Sequence, residues 1–111
     1  MLNLSIYSAD AQGAAELISA VRPKIVALWK QVRVDHHSDD LIADIDVTRH
    51  SIQIAKRSVV KAQIQQEIPD WDLIEYLESK PPQGGHGSIR IWVLIRYRDS
   101  ACVVPLTLAS S

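Results

Sequence analysis

SIQIAKRSVVKAQIQQEI, Ser51 to Ile68, is the stretch on which the fold turns. Its apolar residues Ile52, Ile54, Val60, Ala62, Ile64 and Ile68 all stand at even positions, against Ser51, Gln53, Arg57, Lys61, Gln63 and Gln65. A period of two marks a half-buried strand. The phase persists through Lys56 and Ser58, so the stretch reads as two strands or one long bent strand. A helix over roughly Ser58 to Glu67 is the rival, favoured by the propensity of Lys61, Ala62 and the glutamines. The alternation decides for strand.

The same period holds on either side. Upstream, Ala43, Ile45 and Val47 alternate with Asp44, Asp46 and Thr48, a strand with an acidic outer side, and TRHS turns the chain after it. Downstream, Pro69 closes the segment and Asp70 or Asp72 opens a short helix through Ser79. Asp72 and Glu75 have capping-box spacing, and Trp71, Ile74 and Leu77 are expected to face the core. KPPQGGHGS, with its prolines and glycines, reads as a loop.

Beyond it comes a hairpin. Ile89, Ile91, Val93, Ile95 and Tyr97 make one face of its first strand, and Arg90, Trp92, Leu94, Arg96 and Arg98 the other. RDSA turns into Cys102, Val104, Leu106 and Leu108. Pro105 has no N–H to give to a ladder, which places that last strand at a sheet edge or turns it outward at that point.

At the N-terminal end, Leu2, Leu4 and Ile6 suggest a short first strand, and Asp10 is a candidate N-cap. Ala14, Leu17, Ile18, Val21, Ile25, Leu28, Trp29 and Val32 then form one helical stripe. Pro23 lies off that stripe, and because the stripe keeps phase across it, one bent helix is expected rather than two. The reading is an α+β fold: a mostly antiparallel sheet, one long N-terminal helix packed on a face, and one short helix. The expected order is β-α-β-β-β-α-β-β, in a single domain over residues 1–111.

The bulk composition narrows the function classes. In 111 residues, 47% hydrophobic and 23% charged content is ordinary for a globular chain and argues against disorder. A net charge of −1 creates no overall field to draw in nucleic acid or an anionic membrane. The single cysteine, Cys102, excludes an internal disulfide framework and fits a reducing cytoplasm. MLNLSIYSADAQ makes a poor signal peptide, and the apolar runs IVALW and IWVLI fall far short of a bilayer span.

Three sets of residues carry chemistry. VDHHSDDLIADID, Val34 to Asp46, holds two histidines and five aspartates, so His36, His37, Asp39 and Asp40 have the donor types of a zinc site, or of manganese or iron in a more open geometry. Adjacent histidines rarely serve one tetrahedral ion, however, and no H-E-x-x-H pattern accompanies them. A polar connection from helix into strand, with Asp39 or Asp40 capping a turn, accounts for the stretch better. His86 in GGHG has the ordinary titration range of an acid–base group, but the loop lacks a phosphate-cradling pattern and enters a strand rather than a helix. Asp46, Gln53 and Lys56 follow the order of a metal-dependent nuclease core with the wrong spacing, since Lys56 stands three residues after Gln53 rather than two.

The third set is the strand face of Arg90, Trp92, Leu94, Arg96 and Arg98. Arginines around an indole can hold single-stranded nucleic acid by stacking and phosphate pairing. The same residue types are enriched in protein–protein hot spots, and Leu94 at the centre suits a covered sheet face better than a phosphate track. No catalytic constellation and no cofactor motif assembles, so the reading leans away from an enzyme. It favours a protein that binds a protein partner, as a regulator, an immunity or antitoxin-type inhibitor or a complex subunit. Self-association is its natural form, because strands apolar on both faces need two covers. On that reading Trp92→Asp weakens the complex and spares the fold. Nucleic-acid binding through the same face and a metal-dependent hydrolase built on the 35–46 cluster are the alternatives; no membrane partner is expected.

Overall fold

The computed structural model describes residues 11–32, 41–68, 71–79, 81, 88–98 and 100–109. The element order is α1 (Ala11–Val32), β1 (Leu41–Asp46), β2 (Ser51–Lys56), α2 (Arg57–Glu67), α3 (Trp71–Glu78), β3 (Ser88–Tyr97) and β4 (Ser100–Ala109). The four strands form one sheet in the order β2-β1-β3-β4. The expected strand at Leu2 to Ile6 and the cap at Asp10 lie outside the described residues.

The long N-terminal helix forms as its stripe predicts. Ala14, Leu17, Val21, Ile25 and Trp29 are buried, and Ile18, Val26 and Val32 pack at their margin. The helix continues through Pro23 without a break. Its stripe lies on the sheet face made by Leu41, Ala43, Ile45 and Val47 of β1 and its turn, Ile91, Val93 and Ile95 of β3, and Leu106 and Leu108 of β4.

The opposite face corrects the sequence reading. Only Ser51–Lys56 is a strand; Arg57–Glu67 is the helix α2. Val60 and Ile64 are its buried residues, whereas Ala62, which a strand would have turned inward with them, is exposed. The even-numbered phase could not discriminate here. Residues four apart share a strand face and also share a helix face, because four is both two strand repeats and close to one helical turn. The run from Lys61 to Glu67 then follows helix propensity.

This helix changes the topology. β1 and β2 pair antiparallel, with Leu41 opposite Lys56 and Asp46 opposite Ser51. The chain leaves β2 as α2, returns as α3, and enters β3 on the far side of β1. β3 therefore runs parallel to β1, in the register Ile42↔Trp92 to Asp46↔Arg96. A helical crossover is the connection that places parallel strands side by side. The sheet is thus mixed rather than mostly antiparallel, and two short helices stand where one was expected. β3 and β4 form the expected hairpin, with β4 at the edge and Pro105 exposed opposite Trp92.

Further local details differ. α3 begins at Trp71, so Asp72 lies in its first turn, where a carboxylate favours the helix dipole, instead of capping it. Leu73, Ile74 and Leu77 are the buried residues, and Trp71 is 77% exposed. Three apolar positions on so short a helix already fill its inner face, which leaves the indole outside. α2 and α3 are joined at their surface by Lys61 and Glu78, 2.9 Å apart. Among the described residues, no helix is long and apolar enough to cross a membrane.

Candidate functional site: a cleft where two parallel strands part

The strand face expected to meet a partner is instead the floor of a second core. Trp92 is 4% exposed and Leu94 is fully buried, packed with Ile42, Val60, Ile64, Leu73, Ile74 and Leu77 beneath α2 and α3. The Trp92 indole N–H donates to the Ser79 carbonyl at 2.7 Å, and the ring meets Tyr76 edge-on at 5.5 Å. An indole enclosed in this way offers no stacking platform to a nucleotide. Arg90, half-buried, donates to the Thr107 hydroxyl at 2.9 Å. The five residues singled out on this strand are therefore separated: two are core, Arg90 serves the β3–β4 pairing, and only Arg96 and Arg98 reach a common cleft.

That cleft has a topological cause. β1 and β3 are parallel neighbours, so their carboxyl ends lie side by side, with the Val47 N–H donating to the Arg96 carbonyl at 2.8 Å. From there β1 turns outward into β2, and β3 turns the opposite way into β4. Where two adjacent parallel strands part in opposite directions, a crevice opens beyond their carboxyl ends. A cavity of about 290 Å³ occupies this place, lined by Asp46 at the end of β1 with Thr48 and Arg49 after it, Arg96 near the end of β3 with Arg98 after it, and Glu67 at the end of α2 with Ile68 after it.

Asp44 anchors the cleft from below. It was expected on the outward side of β1, yet it is 2% exposed, because α2 and α3 cover that side. Arg96 grips it with both arms of its fork: Nε donates to Oδ1 at 3.1 Å and Nη2 to Oδ2 at 2.6 Å. The Gln53 amide, paired across from Asp44 on β2, donates to Oδ2 at 3.1 Å. A bidentate guanidinium–carboxylate pair fixes orientation as well as charge. The remaining arm of Arg96, Nη1, donates to Glu67 Oε2 at 3.2 Å. Burial pushes the Arg96 guanidinium toward losing its proton, but the hydrogen bond and charge of Asp44, then the charges of Glu67 and Asp46, outweigh it. Its pKa is accordingly held above the ordinary arginine value.

The rim is made by two turns. Asp46 Oδ1 accepts the Arg49 backbone N–H at 3.1 Å, and the Arg49 side chain lies 3.8 Å from Oδ2. Arg98 has φ 56°, a left-handed conformation costly for a residue with a Cβ. Its N–H donates to the Thr48 hydroxyl at 3.3 Å, which ties the two turns together, and its guanidinium stands 5.2 Å from the centre of the Tyr97 ring. Among the described residues no carboxylate pairs with the Arg98 guanidinium.

Sequence reasoning took Arg96 and Arg98 as part of a strand face and missed Arg49, Asp44 and Glu67 as their companions. The parallel register, set by a crossover not visible in periodicity, brings the two turns together. His36, His37, Asp39, Asp40 and His86 lie outside the described residues. The nuclease-like order of Asp46 and Lys56 is dispersed by the antiparallel register, which puts them at opposite ends of the β1–β2 pair. Among the described residues no three His, Cys, Asp or Glu side chains converge on one point.

Comparison with known proteins gives no match to a family model, a curated protein or a solved structure.

Proposed function

We propose that this protein works by binding another protein at the cleft beyond the carboxyl ends of β1 and β3, as a regulator, an inhibitor or a subunit of a complex. One observation carries the reading: Arg49, Arg96 and Arg98 meet there from the ends of two different strands, around a cavity that the strand topology creates. Arginine is over-represented among residues that dominate binding energies, and Arg96 is held in place by a pair it cannot easily leave. A cavity of this size accommodates one or two side chains of a partner. The lone cysteine remains in keeping with a cytoplasmic setting. Self-association drops out of the proposal, because its argument was a sheet with an uncovered apolar face, and helices of the same chain cover both faces.

The test is affinity purification with the wild-type chain and with an Arg49→Glu/Arg98→Glu variant, each retained protein then being produced pure and titrated. A purified partner that binds the wild type and loses at least about tenfold in affinity on charge reversal supports the proposal. Partners that bind both forms equally tightly overturn it.

A further inference from the structure

The arginines of the cleft are not equivalent, and the difference points to a ligand. Arg96 spends Nε and Nη2 on Asp44, which is buried beneath it, and turns Nη1 toward the cleft. The partner of Nη1 is Glu67, whose side chain is 60% exposed. Glu67 is also the last residue of α2, and no basic residue occupies that helix's last turn. A carboxylate at a helix C-terminus faces the negative end of the dipole, and a solvated ion pair is worth little. The Asp44 pair is thus a permanent fixture and the Glu67 pair an exchangeable one. Beside it stands Arg98, held at the rim by a left-handed turn.

We infer that the cleft takes a carboxylate from an acidic peptide segment, which displaces Glu67 from Arg96 Nη1 and pairs with Arg98, so that Glu67 is a built-in competitor for the ligand it resembles. The inference rests on the cleft being the binding surface proposed above and names the chemistry it selects. Arg49, its side chain 84% exposed and 3.8 Å from Asp46, stands at the outer edge as a further cation. No covalent bond is made or broken; one carboxylate replaces another as the acceptor of the same donor.

The experiment titrates the isotope-labelled chain with an acetylated, amidated tetraglutamate peptide and separately with inorganic phosphate, following the arginine Nε–H resonances by NMR. The peptide is expected to shift the Arg96 resonance, to bind about two- to fivefold more tightly to Glu67→Gln, the weight of one exposed ion pair, and to bind more weakly to Arg98→Ala. Phosphate is expected to bind more weakly than the peptide. An Arg96 resonance that ignores the peptide in Glu67→Gln overturns the inference, as does affinity unchanged by that substitution or phosphate binding as tight as the peptide's. A partner protein lost on reversal of Arg49 and Arg98 but indifferent to Glu67→Gln would retire the exchange and leave the cleft as the binding surface.

Discussion

The two faces of the sheet are built to different rules. Under α1 the core is apolar throughout, from Ala14 and Leu17 to Ile95 and Leu108. Its largest side chain, Trp29, is buried with an indole N–H that finds no acceptor among the described residues. Under α2 and α3 the core is smaller and contains polar chemistry. The Trp92 indole is hydrogen-bonded, and Asp44 and Arg96 form an ion pair at its margin. One continuous helix covers its face with apolar side chains. Two short helices leave an open end, and there the fixed geometry of a bidentate pair holds the strands' ends. Buried ion pairs do not reliably add stability over apolar packing, so the second face carries the cleft at a cost the first face does not bear.

The sharpest break of this comparison is Trp92→Asp. It removes a large buried side chain, which alone costs about 3–5 kcal/mol, and leaves a carboxylate in the core. Against the ~5–15 kcal/mol that holds a domain together, the variant is expected to lose its cooperative urea transition. A folded variant with an altered complex would restore Trp92 as a surface residue. Next is Asp44→Ala, which strips a buried guanidinium of its main partner and is expected to cost about 3 kcal/mol in chemical denaturation. The double variant Asp44→Leu/Arg96→Met should regain most of that loss. A double variant as unstable as the single one would mean that the pair itself stabilises the fold.

A finer comparison makes the same substitution on both faces. Trp29→Phe and Trp92→Phe remove similar area, but only the second discards a formed hydrogen bond, so it should cost more by about 1 kcal/mol. Equal midpoints and slopes in guanidinium would show that Trp29 has an acceptor too. The smallest effect belongs to Trp71→Ala on α3. With its indole mostly in solvent, stability is expected to change by no more than about 0.5 kcal/mol, and a larger drop in melting temperature would put Trp71 back among the core residues.

How much was legible follows the same division. The stripe of α1 could be read because a helix of this length repeats its pattern over about six turns, and the buried Ala14, Leu17, Val21, Ile25 and Trp29 fall where the pattern puts them. The β3–β4 hairpin could be read because its partner strands are adjacent in sequence, so local alternation and a short turn determine the pairing. Arg57–Glu67 could not be read by periodicity, since Val60 and Ile64 satisfy both periods. Asp44 was placed outside because an acidic residue alternating with apolar ones signals a solvated face, and no signal in its own neighbourhood names a partner 52 residues away.

The sequence by itself determined the α+β composition, the long helix and its buried side, and the final hairpin. Each depends on contacts within a helix or between neighbouring strands, and such contacts leave a local pattern. Only the tertiary structure decided that β3 lies parallel to β1, that Trp92 and Leu94 are interior, and that Arg49, Arg96 and Arg98 share a cleft. Those outcomes depend on which face each element covers once the chain closes, and burial on that face is a property of the layer above it rather than of the strand.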